Sequence, residues 1–420
     1  MSARTTVGRG RVRRLVVPTM LVCIAAGLGS LVTAAQPALA TLPGVASISA
    51  GGEHACGIVN GAAYCWGENF SGELGDGANT NSAVPVAVDT SGAVAGRALA
   101  QVSSGYSHTC ALDAAGRAYC WGLNSYGQLG DGNTTNSSVP VAVDTSGVLA
   151  GKTLTQIASG IVATCALDSA GAAYCWGANS YGQLGDGGTT NSSVPVAVRT
   201  TTTLAGRSLT QITVGYENAC VLDSAGQAYC WGLNSYGQLG DGNTTSSGVP
   251  VTVDTTGLPA GQTFTQISAT WFHTCAVDSA GAAYCWGRNS AGQLGDGSSS
   301  SSSVPVAVDV AGALAGQTIT QVTVGAYDTC ALDAAGDAYC WGLNSYGQLG
   351  DGSTTNSAVP VAVNTGGALA GKSLIQVSAG IWHTCALDAA GAPYCWGGNA
   401  SGELGDDNYS PSAVPVLVGL

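Results

Sequence analysis

Short apolar segments recur along the chain from residue 44 onward, separated by stretches rich in glycine, serine, asparagine and aspartate. One copy begins with Leu154-Thr155-Gln156-Ile157 and continues with Cys-Ala-Leu-Asp, Tyr-Cys-Trp-Gly, a Gly-Gln-Leu-Gly-Asp-Gly loop and Val-Pro-Val-Ala-Val. Short runs of this kind, bounded by turn residues, are typical of β-strands. The pattern therefore predicts four short strands in each copy.

The tryptophan of each copy recurs at a pitch of 55 residues without an insertion. These residues are Trp66, Trp121, Trp176, Trp231, Trp286, Trp341 and Trp396. Seven copies predict an all-β fold, a seven-bladed β-propeller of four-stranded blades over residues 41–420, in which ring closure protects the sheet edges. A solenoid is the alternative, but neither end shows the atypical capping repeat that a solenoid needs. The last segment, 414–418, repeats the fourth strand, and we expect it to finish the ring beside residues 45–49.

The first 40 residues differ from the repeats. A basic start precedes an apolar run over residues 15–35 and the sequence Ala38-Leu39-Ala40, which fits the small-x-small cleavage rule. We predict a signal peptide over residues 1–40, and the pattern leaves the general and twin-arginine export routes open. An uncleaved anchor helix is the alternative, because the apolar run is long enough to span a bilayer. Pro37 and the cleavage signal argue against it.

Charge changes the picture once this leader is removed. The basic residues at the start are Arg4, Arg9, Arg11, Arg13 and Arg14. Without them the chain carries seven basic residues against 25 acidic ones, a net charge of −18. Nucleic acid is therefore excluded as a partner, since its phosphates require a basic footprint. We expect a secreted monomer that has no membrane attachment after cleavage.

Two cysteines occur in each copy, spaced C-x9-C in six copies and C-x8-C in the first. Asn60-Gly61 suits a two-residue type I′ turn, whereas residues 114–116 suit a three-residue loop with glycine in the left-handed position. Both turns place the two cysteines of a copy opposite each other. The predicted disulfides are Cys56–Cys65, Cys110–Cys120, Cys165–Cys175, Cys220–Cys230, Cys275–Cys285, Cys330–Cys340 and Cys385–Cys395.

Counting alternate rungs from either turn places each cysteine pair at a non-hydrogen-bonded position, where Cα atoms are about 4.5 Å apart and a disulfide can span the strands. Export to an oxidising compartment favours the same pairing. Zinc is the competing interpretation, because His-x-Cys puts two ligands on one face of a strand. Only His54, His108, His273 and His383 keep that histidine, so we predict no metal and no other cofactor.

Strand alternation also predicts where the tryptophans point. In the strand 118–121, Tyr119 and Trp121 share one face, and the two small residues share the other. Stacking a bulky face on the small face of the next blade would fill the gap between sheets. The tryptophans are therefore predicted to form the core and not a carbohydrate platform.

The pattern His-x-Cys-Ala-Leu-Asp-x-x-Gly-x-x-Tyr-Cys-Trp-Gly-x-Asn-x-x-Gly-Gln-Leu-Gly-Asp-Gly covers almost all of residues 44–420. It resembles the repeat of the regulator of chromosome condensation family, whose members are seven-bladed propellers. The cysteine pair departs from the nuclear eukaryotic members and is similar to exported bacterial ones. The resemblance implies nucleotide exchange on a small GTPase for the nuclear founder, a role that predicted export argues against. It implies inhibition of β-lactamase, through an aromatic rim, for some exported members.

Three residues just before the first cysteine of each copy vary more than any other part of the repeat. These triplets are 52–54, 106–108, 161–163, 216–218, 271–273, 326–328 and 381–383. They link the first and second strands, so a propeller would gather them at one rim, where aromatic residues dominate protein interfaces. Drift at solvated loops is the alternative. The predicted partner contacts are Tyr106, Tyr216, Glu217, Trp271, Phe272, Tyr327, Asp328, Trp382 and His383.

The predicted function is that of a non-enzymatic, exported scaffold that binds a secreted or surface protein, such as an enzyme it inhibits. A glycan-binding or cell-envelope adhesion module is the alternative, and a third hypothesis is a cryptic hydrolase. If the rim does not bind, we expect the site on the opposite face, at Tyr126, Tyr181, Tyr236 and Tyr346.

Candidate catalytic residues are scarce: the sequence holds four histidines and shows neither H-E-x-x-H nor a nucleophile elbow. The repeated acids fit turn chemistry, and calcium at segments such as 131–133 is the alternative. The hairpin acids are Asp113, Asp168, Asp223, Asp278, Asp333 and Asp388. The acids of the Gly-Asp loops are Asp76, Asp131, Asp186, Asp241, Asp296, Asp351 and Asp406.

Overall fold

The computed structural model describes residues 44–201 and 203–419, which form seven four-stranded antiparallel sheets. Each sheet is one contiguous repeat, so the predicted seven-bladed propeller is confirmed. The predicted signal peptide, residues 1–40, lies outside the described residues. The described residues contain no helix that is long and apolar enough to cross a membrane.

Blades 1 to 4 comprise sixteen strands. Blade 1 contains β1 (Val45–Ala50), β2 (His54–Val59), β3 (Ala62–Gly67) and β4 (Ser82–Ala87). Blade 2 contains β5 (Leu99–Ser104), β6 (His108–Asp113), β7 (Ala118–Gly122) and β8 (Ser137–Ala142). Blade 3 contains β9 (Leu154–Ser159), β10 (Ala163–Asp168), β11 (Ala173–Gly177) and β12 (Ser192–Ala197). Blade 4 contains β13 (Leu209–Val214), β14 (Asn218–Asp223), β15 (Ala228–Gly232) and β16 (Ser247–Thr252).

Blades 5 to 7 complete the ring. Blade 5 contains β17 (Phe264–Ala269), β18 (His273–Asp278), β19 (Ala283–Gly287) and β20 (Ser302–Ala307). Blade 6 contains β21 (Ile319–Val324), β22 (Asp328–Asp333), β23 (Ala338–Gly342) and β24 (Ser357–Ala362). Blade 7 contains β25 (Leu374–Ala379), β26 (His383–Asp388), β27 (Pro393–Gly397) and β28 (Ser412–Leu417).

The ring closes differently from the sequence prediction. We expected the C-terminal strand beside residues 45–49, but β28 pairs with β27 at the outer edge of blade 7. The N-terminal strand β1 is the innermost strand of blade 1 and packs against β25 and β26. The described chain enters each blade at its first strand and leaves it after its fourth, so no blade is shared between the two ends.

A glutamine on the innermost strand links most blades to the next. The side-chain amide of Gln101 donates to Ile157 O at 3.2 Å, and its oxygen accepts from Ile157 N at 3.1 Å. Gln376 makes the same pair of bonds to Ile48, at 2.8 and 3.1 Å, and thereby joins blade 7 to blade 1. These bonds satisfy strand groups that would otherwise be unpaired at the inner edge of each sheet.

The predicted disulfides are all present, one in each blade, with Cα separations of 4.0 to 4.1 Å. In the first hairpin, Asn60 and Gly61 have φ values of 50° and 81°, as a type I′ turn requires. In the second, Asp113 N–H donates to Arg117 O, and Gly116 takes the left-handed position with φ of 75°. Both predicted turn types are thus confirmed.

The repeated tryptophans are completely buried, which confirms them as core and rules them out as a sugar platform. Each indole donates a hydrogen bond to a carbonyl in the Gly-Asp loop of the preceding blade. Trp121 Nε1 lies 2.8 Å from Glu73 O, and Trp66 Nε1 lies 2.9 Å from Glu403 O, which closes the ring. A Cβ on Gly75 would lie 2.7 Å from the Trp121 nitrogen, so only glycine fits under the indole.

A second chain of hydrogen bonds uses the histidines that were considered as zinc ligands. His54 Nε2 lies 2.8 Å from the hydroxyl of Thr109 in the next blade. That hydroxyl donates in turn to Glu73 O at 2.9 Å, so the histidine donates its Nε2–H. His108 and His273 make the same contact. The cysteines beside these histidines form disulfides within their own blades. The histidines of the His-x-Cys motif instead join neighbouring blades through their hydrogen bonds to threonine.

Four of the seven blades lack this bond. Blade 3 has Ala163 at the histidine position, and blade 4 has Asn218, whose side-chain amide is buried without a partner. Opposite His383 the next blade carries Ala55 in place of threonine, and both ring nitrogens lack a partner. Asp328 occupies the histidine position of blade 6, and both its carboxylate oxygens are buried without a partner. Each of the two side chains is 1% exposed. Asp328 and His383 were predicted to contact a partner, and this prediction is wrong because the start of the second strand points between the blades.

We expect Ala55→Thr to stabilise the protein. The new hydroxyl would accept from His383 and donate to Glu403 O, and a hydrogen bond contributes about 1 kcal/mol to stability. Ala219→Thr is the matched control, because the facing residue there is Ala163. Urea denaturation of both variants tests this, and an equal or smaller gain for Ala55→Thr would contradict it.

We also expect Asp328→Asn to stabilise the protein more at neutral than at acidic pH. Burial raises the pKa of Asp328 well above its ordinary value, whereas the unfolded carboxyl ionises at about pH 4. The stability of the wild type is therefore fully present below about pH 4 and falls as the pH rises towards the folded pKa. Asn218, at the same position of blade 4, is also buried without a partner, so the substitution removes the ionisable group without adding a hydrogen bond. The gain in unfolding free energy should grow between about pH 4 and pH 7, and a constant gain would refute the prediction.

Candidate partner-binding face

The triplets and the Gly-Asp loops lie at the same end of every blade. His54 pairs with Gly67, because the second and third strands run antiparallel, so the start of one lies beside the end of the other. The triplet precedes the second strand and the Gly-Asp loop follows the third. We call this end of the propeller the triplet face.

The three residues of a triplet have different environments. In six blades the first lines the mouth of the central channel, a cavity of about 60 Å³ whose border includes Tyr106, Ile161, Trp271 and Ile381. The second lies on the triplet face; Phe272 and Trp382, for example, are half-buried. The third is buried between blades. The third layer is buried in every blade, whereas the first two positions are accessible in some blades, as at Trp271 and Trp382, and buried in others, as at Ser107, Ala326 and Ile381.

A continuous run of aromatic rings crosses blades 4 to 7. Tyr216 stacks on Trp271 with ring centres 5.6 Å apart, and Trp271 lies 5.8 Å from Tyr327. Tyr327 then stacks on Trp382 at 6.2 Å. Phe272 meets both Tyr216 and Trp271 edge-on. The structure thus brings all five predicted aromatic residues of these blades into one cluster.

The tyrosines assigned to the opposite face lie on the triplet face instead. Tyr236 is 5.2 Å from Phe272, and Tyr346 is 5.4 Å from Trp382. Tyr126 and Tyr181 occupy the same position of their own Gly-Asp loops. The prediction of an opposite face was wrong, because antiparallel pairing returns the end of the third strand to the start of the second. This signal was available in the sequence.

Arg288 is a member of the aromatic cluster that sequence reasoning missed. Its guanidinium lies 5.3 Å from the ring centre of Tyr236, 5.6 Å from that of Phe272 and 5.2 Å from that of Tyr327. The corresponding residues of the other repeats are leucine, alanine, glycine or glutamate. The sequence did carry a signal for this contact, because Arg288 is the one arginine that directly follows a Trp-Gly pair in the repeats.

Acidic residues occupy the other side of the triplet face, around blade 1. Burial, with the nearby charges of Glu73, Glu53 and Glu403, raises the pKa of Glu68 to about 7. Burial likewise raises the pKa of Tyr106, with smaller effects from Glu53 and Glu68. Tyr106 is separated from the aromatic run by the aliphatic triplet of blade 3, 161–163.

Glu217, in blade 4, is half-buried on the triplet face beside the aromatic run. Burial raises its pKa. The triplet face is therefore asymmetric: blades 4 to 7 present aromatic rings with one arginine, and the region around blade 1 presents carboxylates.

The repeated aspartates are engaged in loop hydrogen bonds. Asp113 Oδ1 accepts from the backbone of Ala115 and Arg117, which confirms the predicted turn chemistry. Asp131 Oδ1 accepts from the side chain of Asn124 at 3.2 Å. Within the described part of the chain, no three histidine, cysteine or acidic side chains are placed to hold a metal ion together.

The sequence matches two family models. One, described as the RCC1-like domain, matches residues 23–367, and one described as the regulator of chromosome condensation (RCC1) repeat matches residues 374–403. The ultraviolet-B receptor UVR8 of Arabidopsis thaliana is 32% identical over 373 residues, which cover 88% of this chain and 81% of the receptor.

Solved structures share the fold. Human WBSCR16 superposes with a TM-score of 0.74 at 21% identity, covering 86% of this chain and 94% of that one. Yeast Prp20, in its complex with Kap60, gives a TM-score of 0.72 at 20% identity, covering 94% and 91%. At such identities the likeness shows the fold alone. These relatives are eukaryotic, and the bacterial assignment stays a prediction. Because the RCC1-like model alone matches most of the residues, the chain belongs to the RCC1-like family of seven-bladed propellers.

Proposed function

We propose that the triplet face binds another protein, and that the aromatic run from Tyr216 to Trp382 supplies most of the binding energy. RCC1-like propellers commonly mediate protein interactions. The observation that carries the proposal is the connected cluster itself, since stacked aromatic rings at solvent-accessible positions are typical of interface hot spots. Sequence divergence among the triplets fits a partner that lacks sevenfold symmetry.

The scaffold lowers the cost of binding. Tyr216, Trp271, Tyr327 and Trp382 are held against one another, and the loops beneath them are tied to the tryptophan core by hydrogen bonds. Side chains that are already ordered lose little conformational entropy on association. A rigid and asymmetric surface of this kind favours one partner over many.

The partner is proposed to be a secreted or surface protein, because the leader over residues 1–40 and the seven disulfides fit export. An enzyme whose active site is covered by the triplet face would be inhibited. In this proposal the chain acts as a monomer, without catalysis or a cofactor, and glycan binding is an outcome that the experiment below can detect.

Replacing Trp271 and Trp382 by alanine is expected to weaken partner capture more than tenfold, since removal of a hot-spot aromatic costs about 2 kcal/mol or more. The immobilised protein would capture partners from culture supernatant, and near-UV circular dichroism would verify folding. Val310→Ala and Ile375→Ala are the controls. They remove exposed apolar side chains at the opposite end of the blades.

Unchanged capture by the tryptophan variants would contradict a binding site on the triplet face. The same variants are tested against purified cell-wall polysaccharide. Saturable polysaccharide binding that depends on Trp271 and Trp382, without captured protein, would replace the protein partner by a glycan.

A further inference from the structure

A cavity of about 220 Å³ opens on the triplet face where blades 6, 7 and 1 meet. Three aromatic side chains and two carboxylates line it: Tyr346, Trp382, Tyr409, Glu53 and Glu403. The cavity is smaller than a pocket for a drug-sized ligand, which measures about 300–1,000 Å³, and suits a single head group. We call it the blade 7/1 cavity.

Glu403 is a buried carboxylate without a cationic partner. It is 2% exposed, and its Oε2 accepts from Ser401 N–H at 2.8 Å. The Ser401 hydroxyl donates to Glu53 Oε2 at 3.2 Å, which holds the two acids close together. None of the ion pairs in the described part of the chain includes either acid. A buried charge is costly unless it is paired, so this arrangement favours a cation in the cavity.

The charge of Glu403 is not needed for the fold of its loop. Five other blades carry glutamine at this position, and in the same way as Glu403 these side chains accept from the backbone two residues earlier; Gln348, for example, accepts from Tyr346 N–H at 3.0 Å. The glutamines are Gln128, Gln183, Gln238, Gln293 and Gln348. Blade 1 carries Glu73, which does not line the blade 7/1 cavity.

The aromatic walls add a second attraction for a cation. Tyr346 and Tyr409 are 49% and 55% exposed, and Tyr346 meets Trp382 edge-on with ring centres 5.4 Å apart. Electron-rich ring faces attract ammonium and guanidinium groups at such sites. Arg288 shows this chemistry elsewhere on the triplet face, where its guanidinium lies over the aromatic rings of blades 4 to 6.

We propose that the blade 7/1 cavity binds one organic cation, the ammonium or guanidinium group of a lysine or arginine side chain that the bound protein inserts. The source of the cation rests on the proposed function, whereas the chemistry of the cavity does not. Aromatic walls would contact the alkyl stem and the face of the cation. The two carboxylates would accept its hydrogen bonds at the base.

Proton linkage gives the site a pH dependence. Burial, with a smaller contribution from Glu53, raises the pKa of Glu403 to about 7. A cation favours the ionised carboxylate, so its affinity should fall as the pH drops below about 7. Of the other titratable groups, Glu53, Tyr346 and Tyr409 line the cavity. The surrounding ones are Glu68, Glu73, Tyr106, His54 and His383. Burial lowers the pKa of His54 to about 3 and that of His383 to about 4, so these histidines stay neutral.

The test uses tetramethylammonium and guanidinium as probes, with tert-butanol and urea as neutral counterparts, in titrations followed by tryptophan fluorescence or NMR. We expect saturable binding of the cations only, weakened about tenfold by Glu403→Gln, because loss of the paired charge costs about 1.4 kcal/mol. Glu73→Gln is the matched control and should leave the affinity unchanged. Wild-type affinity should be higher at pH 8 than at pH 6, and Glu403→Gln should reduce this difference.

Equal binding of charged and neutral probes, or equal losses in the two glutamine variants, would overturn the cation site. Partner capture then separates this inference from the proposed function. Loss of capture by Trp271→Ala together with full capture by Glu403→Gln would leave the protein-binding face in place and overturn the inserted basic side chain. Reduced capture by Glu403→Gln, but not by Glu73→Gln, would support it.

Discussion

Closure of the ring depends on the hydrogen bond between each buried indole and a carbonyl of the preceding blade. A four-stranded blade cannot bury its two faces alone, and the tryptophan fills the gap to its neighbour while its nitrogen fixes the loop of that neighbour. Trp66 and Glu403 form this bond between the last blade and the first. The remaining bonds at that joint lie nearer its two surfaces and along the inner strand, such as those of Gln376 with Ile48, of Ser378 with Ala50 and of Asp407 with Ala83.

The same loops connect the core to the surface. Each indole-binding carbonyl belongs to the Gly-Asp loop that also carries a tyrosine or its replacement on the triplet face. The main chain of Glu403 holds Trp66, and its side chain lines the blade 7/1 cavity. The disulfides fix the hairpin formed by the second and third strands of each blade. The open end of that hairpin carries both the triplet and the Gly-Asp loop. The core and hairpins, which are nearly identical in all blades, therefore position the side chains that vary between blades.

Variation on that frame is not distributed evenly. Aromatic residues accumulate in blades 4 to 7, and carboxylates accumulate around blade 1. The triplet face is therefore asymmetric although the fold is built from seven similar repeats. The buried third position of the triplet also varies, but its side chain lies between two blades and faces the neighbouring blade instead of the solvent. Ala163 faces Ala219, whereas His54 faces Thr109. Variation at that layer reflects packing between neighbours and carries no information about a partner.

Much of this protein is determined by the sequence alone. The seven copies of the 55-residue repeat determine the number of blades. The turn lengths determine the cysteine pairing, since this pairing depends on local spacing within one hairpin. Burial of Asp328 and His383, the shared face of Tyr236 and Phe272, and the contact of Arg288 with its rings depended on the tertiary structure. These features join residues of neighbouring blades or opposite ends of a hairpin. The spacing within one repeat does not specify how its side chains meet those of the next, because that contact depends on the closed ring.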